Sequence, residues 1–350
     1  MKRGLSLVEL ATKIEAQKAQ KADYLAPASE LRMNIDGGKP FLHVPSEGEF
    51  NVLPVAHDQI GDRTKIPARY YNRMLAEAPE LLASNVNRWL STDTDKRMIR
   101  TIGGSMRAFL SDRYNRVENE EIAEVALPVL LETEGIEIVA AEVTERRLYL
   151  MATTSRIQGE VAQGDVVQAG VCITNSEVGL GSVEIRPLVY RLVCLNGMIL
   201  PDAKLSARHV GRRIGIGEDL NAMFTDETRR ADDRALLLKV RDTIRFAMDE
   251  AMFKKTVDRF AETSEAKIEN DPAKSVEVLA RKIGATELEG KSILRSLIRD
   301  GNLSAFGLIN AVTYQAHDAD KFDRAVEFEQ AAGQLLNLPK RDWKEILEAA

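Results

Sequence analysis

The segment "AKLSARHVGRRIGIG", residues 203–217, holds Lys204, Arg208, Arg212 and Arg213 with His209, and no acidic side chain. In a chain of formal net charge −6, such a run is a local reversal of sign. Its natural chemistry is phosphate binding. Arg presents a planar fork of donors and Lys a mobile point charge, and both displace counterions from a polyanion. An ordinary solvated loop or helix face is the competing reading. A second basic set lies in "TDKRMIRTIGGSMRAFLSDRYNR": Lys96, Arg97, Arg100, Arg107, Arg113 and Arg116, with Phe109 and Tyr114 among them. Here each cation could instead pair with a nearby acid. Single strands are often held by stacking on aromatic rings as well as by charge. Aromatic residues make up only 5% of this chain, so few platforms exist. Tyr190 beside Arg191 is the one pair in the β-like middle that offers both.

The stretch "TNSEVGLGS" invites comparison with a nucleotide loop through the spacing of Gly179 and Gly181. A Walker loop needs a Gly-Lys-Ser/Thr end and a following helix, and a dinucleotide fingerprint also needs that helix. Here a strand-like run follows, so the segment reads as a hairpin turn with glycines at positive φ. Asn175 and Ser176 are then polar groups at an exposed rim, able to hydrogen-bond a ligand. Ser176 lacks the G-x-S-x-G context of a nucleophile elbow. Four scattered histidines and two cysteines have no zinc spacing. Cys172 and Cys194 read as free thiols inside apolar strands in a reducing compartment. No catalytic constellation, cofactor or metal is expected, although paired carboxylates occur in "VENEEIAE" and "SEGEF". Those fit solvated faces.

The elements around these residues give an α+β chain. Residues 1–60 read as an N-terminal arm, partly helical, followed by a turn-rich segment. Residues 61–263 read as a core and 264–350 as a C-terminal helical region. In "IPARYYNRMLAEAPELLASNVNRWL", Pro79 breaks a helical pattern in two. A strand is expected at 106–111, then a helix capped by Asn119. A small antiparallel β-meander follows, with a first strand-like run at 135–145 and further strands near 148–156, 165–175 and 183–195. Pro187 should mark a bulge or an edge, since it cannot donate to a ladder. Beyond residue 218 a long amphipathic helix runs to about 263. "TELEGKSILRSLIRDG" opens on a Thr286–Glu289 capping box and stops at Gly301, and Gly284 stops the helix before it. No apolar run is long enough for a membrane span, and the N-terminus lacks the features of a signal peptide. A cytoplasmic protein is expected.

"TNSEVGLGSVEIRPLVYRLVCLNGM", the upstream "FLSDRYNRVEN" and the downstream "GLINAVTYQAHDADKFDRAVEFEQAAGQLL" together resemble the phage/plasmid-like family catalogued as domain of unknown function 932. The resemblance runs from about residue 68 to 338 and implies DNA metabolism of mobile elements. In architecture, a three-strand meander followed by a long helix is similar to single-strand annealing proteins of the lambda Red beta type. That likeness implies a ring or filament of identical subunits laying single-stranded DNA along a basic groove. The resulting expectation is a non-enzymatic, phage-type protein that binds single-stranded DNA and promotes annealing and recombination without ATP. It would act in the host cytoplasm, with a phage or host replication protein as a further partner. Lys204, Arg208, Arg212, Arg213, Arg191 and Arg113 are the candidate backbone contacts, with Asn175, Ser176 and Tyr190 beside them. The alternative is a phage interaction or structural protein acting through its C-terminal helices.

Overall fold

The computed structural model describes residues 1–201, 205–207 and 226–350. The described chain is α+β, with two six-stranded sheets and a helical C-terminal region. The first sheet comprises β1 (Lys21–Pro27), β2 (Arg32–Asp36), β3 (Lys39–Val44), β4 (Gly48–Val52), β5 (Lys96–Ile102) and β6 (Ser105–Ser111), in the order β1-β5-β6-β4-β3-β2. Only β4 and β6 run parallel. Two glycine pairs make its tight hairpins. Gly37 and Gly38 join β2 to β3, Gly103 and Gly104 join β5 to β6, and all four have positive φ, as a two-residue turn with the twist of the strands requires.

Residues 1–60 therefore do more than form an arm, because four of these strands lie within them. The helix α1 (Leu7–Lys18) buries Leu10 and Ile14, one turn apart. Leu5 donates to the Ala141 carbonyl (2.7 Å) and Ala141 donates to that of Arg3 (3.0 Å), which pins the segment before α1 to the second sheet. Helices α2 (Pro54–Thr64), α3 (Ala68–Glu77) and α4 (Pro79–Leu90) cover the first sheet. Pro79 opens α4, as the sequence indicates, and Leu82, Val86 and Leu90 line its buried side at four-residue intervals.

Helix α5 (Asn119–Leu131) leads to the second sheet. Its start differs from expectation: Glu118 occupies the cap position, and the Glu118 amide donates to the Glu121 carboxylate (2.9 Å). The sheet then runs through β7 (Ile136–Val143), β8 (Leu148–Ala162), β9 (Asp165–Asn175), β10 (Val183–Arg191) and β11 (Asn196–Ile199), each antiparallel to the next. The short β12 (Leu205–Ala207) also pairs with β10. The expected meander is thus β7 to β10, and the sheet extends beyond it through β11 and β12. Pro187 makes no bulge against β9. It sits between residues 183–185, paired by β12, and 188–191, paired by β11, where no ladder asks for its missing donor.

Both faces of this sheet are covered. Leu150, Val171 and Ile185 pack toward α5, α6 (Asp226–Ala247) and α7 (Glu250–Glu262). Tyr149, Met151, Cys172 and Leu188 face the other way, with Val326 of α11 (Phe322–Leu336). The expected long helix is in fact α6 and α7, separated where the Asp249 side chain caps the Met252 amide (2.9 Å). The capping box of Thr286 and Glu289 and the left-handed glycines 284 and 301 bound the following helices as the sequence indicates. Helix α10 (Ala305–Asp318) is buried nearly all round, which makes it a core helix. No helix among the described residues is long and apolar enough to cross a membrane.

Glu329 of α11 is 1% exposed, and neither carboxylate oxygen has a hydrogen-bond partner. Burial raises its pKa to about 8, against the weaker pull of the Met1 amine 4.0 Å away. Between pH 4.5 and 8 the unfolded chain is then ionised at this position while the folded chain keeps its proton. Stability from this group falls as pH rises through that window, by up to about 1.4 kcal/mol per unit. The Met1 amine, lowered by burial to about 6, contributes the opposite slope between pH 6 and 8. Glu329→Gln should stabilise the protein, by a margin that widens from pH 5 to pH 8. Urea denaturation at several pH values reads this directly, and a constant margin would show that Glu329 is ionised in the fold.

Candidate functional site

The turn between β9 and β10 carries Glu177, a buried carboxylate (4% exposed), into a cluster of charges from the first sheet. Its Oε1 accepts from Lys21 of β1 (2.5 Å) and from the Asn119 amide at the start of α5 (2.7 Å). Its Oε2 accepts from Nη1 of Arg107 on β6 (2.5 Å). Arg100 of β5 donates to the Glu177 carbonyl (2.8 Å), to Asp23 (2.9 Å) and to Glu118. Burial pushes the Glu177 carboxyl up, but Arg107 and Lys21 outweigh it and hold the group well below the carboxylate range. Burial also opposes the Lys21 charge, and Glu177, Glu120 and Glu118 overcome it to raise that pKa. For Glu118, burial dominates and raises the carboxyl, with Glu177 adding to it.

The rest of the turn is gripped as well. Ser176 is fully buried. Its hydroxyl donates to the Arg146 carbonyl (2.9 Å) and accepts from the Leu180 amide (3.1 Å). Tyr114 donates to the Ser176 carbonyl (3.0 Å), and Gln59 donates to that of Val178 (2.7 Å). Gly179 has φ +77°, as a hairpin glycine should. Gly181 has a different reason: a Cβ there would lie 2.6 Å from Nη2 of Arg147, which donates to the Leu180 carbonyl. The segment is a turn, as its sequence suggests, but it is a buried clamp between two sheets and not an exposed rim.

Beside the clamp lies a cleft of about 220 Å³, bounded by α1, the start of α2, the start of α5 and the turn between β7 and β8. Its ionisable lining is Lys13, Arg107, Arg146 and Arg147 against Glu145 and Glu177. Arg146 is exposed and Arg147 half-buried, and neither forms an ion pair among the described residues. Leu148 pairs with Asn175, and Val183 pairs with Ala207. The turns 144–147 and 176–182 and the end of β12 therefore meet at one end of the second sheet.

The residues singled out in the sequence divide sharply. Lys204, Arg208, Arg212 and Arg213 lie outside the described residues. Arg113 is exposed, in the turn whose Tyr114 bonds Ser176. Arg191 is not free to meet a backbone phosphate, because Asp165 holds it at 2.6 Å and Phe306 lies under its guanidinium. Asn175, expected at an exposed rim, is 0% exposed and donates to Asn119 and the Val117 carbonyl, each at 2.9 Å. Tyr190 is half-buried and packs against the cluster around Tyr149 and Cys172. In the second basic set, Arg97, Arg100, Arg107 and Arg116 all pair with acids, which was the plainer of the two readings. Lys13, Lys21, Arg146 and Arg147 were missed. The adjacent arginines between two strand-like runs were a usable signal for the last two. Nothing in sequence ties Lys13 or Lys21 to them.

Glu118, Glu120 and Glu177 bring carboxylate oxygens within 4.8 Å of one another, a spacing that suits a metal ion. The Lys21 ammonium already stands among them, at 3.4, 2.9 and 2.5 Å. Residues 108–331 match the model of the family described as Domain of unknown function (DUF932), and the chain belongs to that family. No curated protein and no solved structure matches the chain. No comparison supports the likeness to annealing proteins, and the strands on which it rests belong to a six-stranded sheet.

Arg100 is 1% exposed, whereas the Arg116 side chain, which shares Asp23, is 54% exposed. Arg100→Met would strand buried carboxylates and should cost about 3–5 kcal/mol of stability. Arg116→Met should cost less than about 1 kcal/mol. Chemical denaturation of the two variants side by side checks the contrast.

Proposed function

We propose that this member of the family binds single-stranded DNA through its sugar-phosphate backbone and promotes annealing of complementary strands without ATP or turnover. The observation that supports this reading is the convergence of cations on one end of the second sheet. Arg113, Arg146 and Arg147 come from two turns that bond to Ser176 or Leu180. Ala207, paired with Val183, ends β12 at the same edge, and Arg208, Arg212 and Arg213 further along the sequence lie outside the described residues. Asp112 and Glu145 are the acids within those two turns, and residues 203–217 carry none. Cations spaced along an edge suit a flexible polyanion better than a compact solute. Stacking is a minor part of this reading, since Tyr190 and Tyr114 are engaged in the fold.

Action as a homo-oligomer is part of the proposal. The exposed apolar side chains Leu192, Val193 and Leu195, between β10 and β11, are consistent with self-association. A protein-partner role for the C-terminal region would fall on α9 (Glu287–Asp300), where Leu288 and Ile298 are exposed, because α10 and α11 are core.

Fluorescence anisotropy of a labelled oligonucleotide should show binding at low salt, with affinity falling log-linearly as salt rises. Arg113→Glu combined with Arg146→Glu should weaken binding about ten-fold or more. It should also flatten the salt slope by about 0.7 for each phosphate no longer neutralised. No binding by the parent protein at low salt would overturn the proposal. Unchanged binding by the folded double variant would remove these two residues from it.

A further inference from the structure

The outer strands of the two sheets are finished in different ways. At β2 the Asn87 side chain stands in for a strand: its Oδ1 accepts from the Met33 amide (2.7 Å) and its Nδ2 donates to the Met33 carbonyl (2.8 Å). At β7 the segment before α1 does the same through Leu5 and Ala141. At β11 helix α11 closes in, so near that a Cβ on Gly333 would lie 1.9 Å from the Ile199 carbonyl oxygen. The outer side of β1 has no such cover among the described residues.

The pairing of β1 with β5 fixes which of its backbone groups are free. Gly103 donates to the Gln20 carbonyl and Ala28 to that of Asp95, and the register between these ends is unbroken. In an antiparallel ladder every second residue exchanges bonds with the neighbouring strand. Ala22, Tyr24 and Ala26 therefore bond toward β5. The amides and carbonyls of Lys21, Asp23 and Leu25, with the Pro27 carbonyl, turn the other way. None of these outward groups has a hydrogen-bond partner among the described residues. Buried backbone groups are almost always paired, so these meet water, and such a row is a template for another strand. Leu25, 62% exposed, stands beside it as an unpacked apolar side chain.

We infer that β1 is the interface for a second copy of this chain, the two β1 strands running antiparallel about a two-fold axis at Tyr24. Each Asp23 amide then reaches the Leu25 carbonyl of the second copy, and each Leu25 amide its Asp23 carbonyl. Each Lys21 amide reaches the Pro27 carbonyl, and the donor that Pro27 lacks is the one bond forgone. The side chains suit the same register. Tyr24, whose ring lies 5.4 Å from that of Phe50, meets Tyr24 of the second copy at the closer, non-hydrogen-bonded spacing, where aromatic pairs stabilise a sheet. Leu25 falls opposite Asp23, whose charge Arg100 and Arg116 balance, and no like charges oppose each other. An axis at Asp23 would set two Asp23 side chains against each other, and one at Leu25 would leave the Lys21 amides unmatched. This self-complementarity selects a second copy as the occupant, and the contact is isologous, joining chains in pairs. The inference rests on the homo-oligomer of the proposed function and supplies an interface for it, but it makes no use of DNA.

Sedimentation velocity of the full-length protein over a range of concentrations, without nucleic acid, should show self-association. Its failure would leave strand binding standing, and failure of strand binding would leave this contact standing. Leu25→Pro removes one outward donor from each chain and none from the ladder between β1 and β5. Leu25→Glu sets an acid opposite Asp23 at a position that is exposed in the single chain. Each should raise the dissociation constant by about ten-fold or more. Thermal melts check folding, and Leu25→Glu carries the test if the proline variant melts early. Hydrogen exchange of residues 21–27 should slow as the parent protein is concentrated and stay fast in Leu25→Glu. A parent protein that is monomeric throughout overturns the inference. So does self-association that neither folded variant weakens, or exchange at 21–27 that ignores concentration.

Discussion

The position of one buried carboxylate governs how the two halves of this molecule meet. Glu177 belongs to the turn between β9 and β10, yet every group that neutralises it comes from β1, β6 or the start of α5. A carboxylate taken out of water is tolerated only where its lone pairs are met, and losing one partner of such a cluster is far costlier than losing a surface pair. The turn therefore has one acceptable seat. Arg100 fixes the same seat a second time through the Glu177 carbonyl, and Val178 packs with Val55 and Ala108 beneath it.

That seat also decides where chemistry is available. The second sheet is covered by helices on both faces, so its strands and their side chains are committed to packing. What stays accessible at the end of the sheet is the turn 144–147, where Glu145 and Arg146 are exposed beside the buried turn 176–182. Turns on a rigid scaffold are the usual carriers of binding residues because they can vary without disturbing the core. Arg107 joins both regimes, since it binds Glu177 in the clamp and lines the cleft.

Several elements were legible in the sequence because their causes are local. Pro79 divides α3 from α4, Thr286 and Glu289 cap α9, and glycines 284 and 301 end helices in the left-handed conformation. The β9–β10 hairpin was legible from its glycines and flanking apolar runs. The first sheet was not, since β1 pairs with β5 across some seventy residues and short strands broken by Gly and Pro carry little periodicity. Asn175 and Ser176 show the same limit at the level of side chains. Polar residues beside a turn suggest exposure, but both are buried, bonded to residues at the start of α5 and to the 144–147 turn.

By itself the sequence determined the α+β class, the helical C-terminal region, the turn at 176–182 and the family, because each depends on spacing within a window of a few residues or on motif order along the chain. Only the tertiary structure decided which cations are spent and which remain. Arg100 and Arg191 look no different in sequence from Arg146 and Arg147, but the first two are matched by Asp23, Glu118 and Asp165 while the second two meet no carboxylate among the described residues. Charge pairing is set by distances of a few ångströms between segments far apart in the chain, and those distances exist only once both sheets have closed on Glu177.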